Sequence, residues 1–420
     1  MGEWKMTALG EVADVIMGLS PKGDTYNQKK DGIPLLNGPT EFGPYHPHAI
    51  LYTTDPARFA EPGDLLFCVR GSTTGRMNWA DRQYAIGRGI AAIRAKTNGK
   101  DTFFAYCCIC DSMKRLLSFT SGSVFPNLST GDINAFEIPW PEESVRTCIA
   151  HILGTLDDKI ELNRRMNRTL EKMAAALFKS WFIDFDPVHA KADGRDTGLP
   201  AEIADLFPDS FDDSDLGPIP KGWKVGSLGD VADSPRRGVN PSDVPPTTPY
   251  IGLEHMPRRC IALDAWGRAL DVASGKSQFK QGEIMFGKLR PYFHKVGIAP
   301  MDGVCSTDIV VVKPKSQDWH GYVISLVSSK AFVDYTDSHS AGTKMPRTNW
   351  KDMSRYPLTL PPLSVAKAFQ SHVADFHRRI MLNVRQDRRL AVLRDALLPK
   401  LMSGEIEVCD FVIIGKEVEA

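Results

Sequence analysis

The chain is written twice. Trp4-Lys5-Met6-Thr7-Ala8-Leu9-Gly10-Glu11-Val12-Ala13-Asp14 returns 219 residues later as Trp223-Lys224-Val225-Gly226-Ser227-Leu228-Gly229-Asp230-Val231-Ala232-Asp233, identical at seven of eleven positions. At the same offset Gly63-Asp64-Leu65-Leu66-Phe67 matches Gly282-Glu283-Ile284-Met285-Phe286. At 220, Gly122, Pro126, Asp132, Phe136 and Pro141 meet Gly342, Pro346, Asp352, Tyr356 and Pro361. Ile160, Leu162, Asn163, Arg168, Leu170, Ala176 and Leu177 then return as Ile380, Leu382, Asn383, Arg388, Leu390, Ala396 and Leu397. An offset held within one residue over most of both halves dictates two copies of one folding unit. A length of 420 residues, beyond what one core usually supports, agrees.

Each half opens with about 140 residues rich in Gly, Pro and short β-type runs such as Asp64-Leu65-Leu66-Phe67-Cys68-Val69 and Asp308-Ile309-Val310-Val311-Val312, which predicts a mixed α/β domain. After Pro139 and Pro141, or Pro361 and Pro362, a long helix is predicted, because proline suits a helix start and not its interior. In the first helix Val145, Ile149, Ile152, Leu156, Ile160, Met166, Leu170, Met173, Leu177 and Trp181 recur mostly three or four apart. In the second Val373, Phe376, Ile380, Leu390, Leu393, Leu397 and Leu401 do the same. Both stripes read as coiled-coil seams that two copies near two-fold symmetry would pair. Asn163 and Asn383 fall on or beside the stripes, either fixing register or lying on solvated faces.

The expected class is α+β: two mixed α/β domains in a tandem pseudo-two-fold repeat, separated by two long antiparallel coiled-coil helices. The boundaries read as domain 1–140, helix 141–183, linker 184–217, domain 218–361, helix 362–404 and tail 405–420. Five prolines and the run Asp209-Ser210-Phe211-Asp212-Asp213-Ser214-Asp215 mark the segment between the halves as a plain solvated connector. Residues 184–216 hold ten acidic and two basic side chains, which leaves 49 basic against 41 acidic elsewhere. A net charge of zero therefore hides a basic surplus that permits a polyanionic partner.

Several chemistries leave no trace. Gly71-Ser72-Thr73-Thr74-Gly75-Arg76 lacks the spacing and lysine of a P-loop, Gly87-Arg88-Gly89 is a lone G-x-G, and His46 and His48 have no partners at zinc spacing. Asn240-Pro241-Ser242-Asp243 begins like an amino-methyltransferase loop but lacks its second proline and aromatic. Cys107 and Cys110 form a C-x-x-C inside an apolar stretch, which reads as buried small side chains. No catalytic residue, metal site or cofactor is therefore expected on this chain. Scattered cysteines, no apolar run of membrane length and no signal core predict a cytoplasmic protein.

What remains is a set of basic and amide side chains in Gly/Ser/Thr-rich loops, the composition that meets phosphates and base edges. In the first half these are Lys22, Arg70, Ser72, Thr73, Thr74, Arg76, Asn78 and the stretch Gly122 to Asn127. In the second they are Arg236, Arg237, Lys288, Arg290, Tyr292, Lys344 and Arg347. Small residues let the backbone approach a phosphate, and Arg offers a bidentate fork.

Three strings are more specific than any of this. Leu177-Phe178-Lys179-Ser180-Trp181-Phe182-Ile183-Asp184-Phe185-Asp186-Pro187-Val188, the linker from Leu206-Phe207-Pro208 to Pro220-Lys221-Gly222-Trp223, and Leu397-Leu398-Pro399-Lys400-Leu401-Met402-Ser403-Gly404-Glu405-Ile406 resemble the specificity subunits of type I restriction-modification systems. Lys288-Leu289-Arg290-Pro291-Tyr292 and Gly342-Thr343-Lys344-Met345-Pro346 resemble that family's pattern inside its second recognition domain. The resemblance implies a non-catalytic subunit with two target-recognition domains that read a bipartite, asymmetric double-stranded DNA site. It also implies docking of two modification subunits, which bring S-adenosylmethionine, and of restriction subunits in complexes that cut. Helices of roughly 40 residues, about 60 Å, would set the gap between half-sites. A stand-alone DNA-binding pseudo-dimer and a fused restriction-methylation enzyme are the alternatives.

Overall fold

The computed structural model describes residues 4–119, 126–342 and 344–408. The chain divides into two compact units, Met1–Glu161 with Leu390–Ala420, and Leu162–Arg389. Each has the mixed α/β character expected, and a long helix runs between the two repeats.

In the first unit, Ala13–Met17, Ile90–Ala95, Leu65–Cys68 and Met77–Trp79 form an antiparallel sheet in that order. A five-stranded sheet contains one parallel pair, Ile33–Leu36 with Tyr84–Ile86. Met6–Ala8 pairs with Glu137–Pro139 and closes the unit, while helix Gly99–Asp111 packs on the sheet through Phe104, Ala105 and Cys108. The second unit repeats the plan: Ala232–Asp233, Ile309–Pro314, Ile284–Gly287 and Val296–Ile298 in one sheet, and one parallel pair, Pro249–Ile251 with Gly303–Cys305, in the other. Its closing pair is Lys224–Ser227 with Pro357–Leu360. The registers correspond too, Phe67 opposite Ala91 and Phe286 opposite Val310.

Buried charges repeat as well. Asp64, fully buried, takes a two-pronged contact from Arg94 at 2.6 and 2.8 Å and accepts from the Glu61 amide. Its counterpart Glu283 takes the same contact from Arg237 at 2.8 and 2.6 Å and accepts from the Lys280 amide. In both cases a desolvated carboxylate ties down the turn before a core strand, and bidentate geometry offsets the cost of burying it.

The long helices are Glu143–Phe182 and Leu363–Met402. Ile160, Trp181, Ile380 and Leu401 are buried, whereas Ile152, Leu156, Leu170, Leu177, Phe376, Leu390 and Leu397 are half-buried. Two residues of the expected stripes, Met173 and Leu393, instead face outward at 48% and 47% exposure. The centre of the seam is polar. In the second unit Asn163 donates to Asp387 at 2.7 Å and to Gln386 at 3.0 Å, and Asn383 donates to Asn167 at 2.8 Å. In the first, Arg394 donates to the buried Asp157 at 2.7 Å. Pairing 163 with 387 and 167 with 383 makes the helices antiparallel within that unit.

The segment expected as a plain solvated connector is folded. Asp186–Ala192 is a helix with Val188 fully buried, and Phe207 meets the Trp181 ring at 5.1 Å between centroids. Phe211–Asp212 pairs with Ile219–Pro220, and Lys191 caps the carbonyls of Ala204 and Phe207. Charge and proline content pointed to solvent, but Val188, Phe207 and Ile219 supply enough apolar area to dock the segment on the second core. The tail from 409 onward lies outside the described residues.

Candidate nucleic-acid interface

In each unit the loop after the central core strand is stitched to a second loop by the same hydrogen bonds. In the first unit the amide of Leu128 donates to Val69 O at 3.0 Å and that of Gly71 to Pro126 O at 3.0 Å. In the second, Thr348 donates to Lys288 O at 3.1 Å and Arg290 to Pro346 O at 2.8 Å. These positions are related by the repeat offsets. Isolated bridges join Arg70 to Asn127 and Leu289 to Arg347.

The side chains carried on this shared frame differ. In the first unit Arg70 Nε donates to Asn127 Oδ1 at 3.2 Å, Ser72 and Arg76 are exposed, and Arg76 reaches Pro39 O at 3.3 Å. Thr74 Oγ1 donates to Gly71 O and Pro126 O, and Thr73 faces Cys68, so both hydroxyls brace the loop. Lys22 is exposed on another loop, whose Ser20 accepts from the Arg88 amide. Gly122 to Phe125 lie outside the described residues.

In the second unit the two stitched loops bring together Lys288, Arg290, Tyr292, Lys344 and Arg347. Tyr292 is 49% exposed, Lys344 is exposed, and Arg347 pairs with Asp308 at 3.2 Å while remaining half open to solvent. Arg290 sits at the position where the first unit has Gly71. Both take positive φ, 51° and 85°, and the arginine does so without a glycine's freedom. Thr343 lies outside the described residues.

Two expected contacts are corrected. Asn78 is 4% exposed on a core strand and donates to Gly43 O at 2.9 Å, so it cannot present its amide to a base. Arg237 is the partner of Glu283 described above; its neighbour Arg236 is the exposed one. The chain has a second Pro-Arg-Arg, Pro257-Arg258-Arg259, that is not among the expected contacts. There Arg258 lies over the Phe293 ring at 4.1 Å, which Arg290 also faces at 5.9 Å, and Arg259 donates to His294 O at 2.8 Å. The repeated tripeptide was the available signal.

Cys107 and Cys108 are buried on helix Gly99–Asp111, where burial raises both thiols well above their ordinary range, and Cys110 is pushed up to about 11. They stay protonated and unreactive at neutral pH. Among the described residues no cluster of His, Cys, Asp or Glu could hold a metal ion, and no helix is long and apolar enough to cross a membrane.

The family model for the type I restriction modification DNA specificity domain matches residues 1–172 and again 220–384. The chain belongs to this family. Its two matched segments are the two repeats read from the sequence. The type I restriction enzyme MjaIX specificity subunit of Methanocaldococcus jannaschii is 28% identical over 70% of this chain, and the match spans 66% of the archaeal protein, just under two thirds of its length. The type I restriction enzyme EcoDI specificity subunit of Escherichia coli is 26% identical over 86% of this chain and 78% of its own. A crystal structure of the type I restriction-modification S subunit from M. genitalium superposes with a TM-score of 0.57 at 15% identity, covering 95% of this chain and 96% of that one, a likeness of fold.

Proposed function

We propose that this chain reads a bipartite, asymmetric sequence in double-stranded DNA and holds the modification subunits of a type I restriction-modification complex. The observation that carries the reading is the stitched loop pair: one backbone frame, built twice, carrying Arg70 with Asn127 in one copy and Leu289 with Arg347 in the other. Equal frames with unlike side chains suit two half-sites of different sequence, phosphate contacts setting register and base contacts setting preference.

Partner docking is supported by a second repetition. Leu162 and Met173 on the first long helix are 46% and 48% exposed, and their repeat equivalents Leu382 and Leu393 on the second are 51% and 47% exposed. Eleven residues are about three turns, so each pair lies along one face, with exposed Arg165, Thr169 and Ala176 or Arg385, Arg389 and Ala396 beside it. Two like faces, each pairing two exposed apolar side chains with exposed arginine, suit one kind of protein bound twice, and the family resemblance makes it the methyltransferase, which would carry the S-adenosylmethionine; restriction subunits would join where DNA is cut. The chain itself would be non-catalytic and cytoplasmic.

Methylome sequencing of the host with and without this gene tests the reading. Loss of methylation at one two-part motif is expected. An unchanged methylome, or methyl transfer by the purified chain alone, would overturn it.

A further inference from the structure

Glu171 lies on the long helix and touches none of the loops just described, yet it holds a segment that reaches them. Its carboxylate accepts from the Ile261 amide at 3.1 Å and from Cys260 Sγ at 3.3 Å. Burial raises the Cys260 thiol far above its ordinary value, so it stays a donor. The segment between the turn Leu253–His255 and strand Gly267–Arg268 is anchored to the helices at two further points. Arg164 Nη2 donates to Asp264 Oδ2 at 3.1 Å, and the Arg388 guanidinium lies over the Trp266 ring at 4.8 Å.

Just before these anchors the same segment meets the interface. Arg259 donates through its amide to His294 O, and Arg258 stacks on Phe293 beside Arg290. Arg259, Arg290 and His294 hold φ of 53°, 51° and 53°, the left-handed region that costs a side-chain-bearing residue of order 1–3 kcal/mol. Three such residues in one place persist only because their surroundings over-determine them, and the contacts of Glu171 are part of that surrounding. Arg259 adjoins Cys260 in the chain, Arg258 stacks on Phe293, and Arg290 faces the same ring, so the Glu171 contacts are linked to the Arg290 loop through an unbroken run of contacts.

We infer that Glu171 is a positioning residue for base reading by the second unit: the helix, through the contacts of Glu171 with Cys260 Sγ and the Ile261 amide, fixes where Arg258 and Arg290 stand. This rests on the DNA-reading function proposed above.

The test uses the full chain assembled with its modification subunits, which selects duplexes from a pool randomised at both half-sites; bound molecules are sequenced. If the wild-type complex yields no pair of half-sites, the DNA-reading proposal has failed before Glu171 is at issue. Given two half-sites, Glu171→Ala is expected to reduce discrimination in one of them by about tenfold and leave the other intact. Because a carboxylate neutralises no phosphate charge, the salt dependence of binding should not change. Arg258→Ala should affect the same half-site. Glu171→Gln, which keeps an acceptor for the Ile261 amide, and Cys260→Ser, which keeps a donor, should retain most of the discrimination. The inference is overturned if Glu171→Ala leaves both half-sites as they were, weakens both equally, or acts on a different half-site from Arg258→Ala, or if Glu171→Gln loses as much discrimination as Glu171→Ala, as a general loss of structure would give.

Discussion

Asn163 of the first long helix donates through Nδ2 to Asp387 of the second at 2.7 Å, with 0% and 4% of their surfaces exposed. The Asn163 amide is one of the contacts that offset the cost of burying this carboxylate. Asn163→Leu is therefore expected to destabilise by about 1–3 kcal/mol by removing that donor. Asn163→Leu combined with Asp387→Leu should cost less than the single change, since the double variant leaves no buried carboxylate short of its amide donor. Guanidinium unfolding of the two variants decides; a double variant less stable than the single would refute the argument.

His377 gives the second unit an acid limit. Burial, reinforced by the nearby His320 ring 5.8 Å away, lowers its pKa from 6.5 to about 3. The unfolded chain then binds a proton that the folded one refuses, so stability is full above about pH 6.5 and falls as pH drops toward 3, by up to about 1.4 kcal/mol per unit. His377→Gln should make the pH dependence of the unfolding midpoint shallower over that window, with His320, also lowered by burial, keeping part of it. An unchanged slope would mean that other groups set it.

The stitched loops predict separable effects on DNA. Arg290→Ala or Lys344→Ala should weaken reading of one half-site, and Arg70→Ala or Arg76→Ala the other. A base contact would relax preference at one position by roughly 1–3 kcal/mol, whereas a phosphate contact would lower affinity for all sequences and shallow the salt dependence. Binding of the assembled complex to duplexes altered in one half-site at a time measures both, and four silent variants would remove these loops from the interface.

The matched apolar faces predict stepwise loss of partners. A chain with Leu382→Asp and Leu393→Asp should retain one modification subunit, as should one with Leu162→Asp and Met173→Asp, and all four changes together should leave none. Native mass spectrometry counts the copies. Two bound copies on the quadruple variant would show that docking lies elsewhere.

The repeat, the α/β class and the two long helices were legible in the sequence because they depend on local rules: an offset held by framework strings, β-branched runs, prolines at helix starts, three-and-four spacing. The specific strings also pointed to the family, since they record a shared frame and not any one contact. Contacts between distant positions were another matter. Spacing placed Met173 and Leu393 on the seam, but a helix face is defined only against what packs on it, and here the centre belongs to Asn163, Asn167, Asn383 and Asp387. Composition made the acidic connector look solvated, although a few apolar side chains were enough to dock it. Two identical Pro-Arg-Arg tripeptides were equivalent on paper. Only the tertiary structure set one arginine, Arg237, on a buried Glu283 and the other, Arg258, on the ring of Phe293, because the partner of a guanidinium is chosen by whichever carboxylate or ring the fold brings within reach.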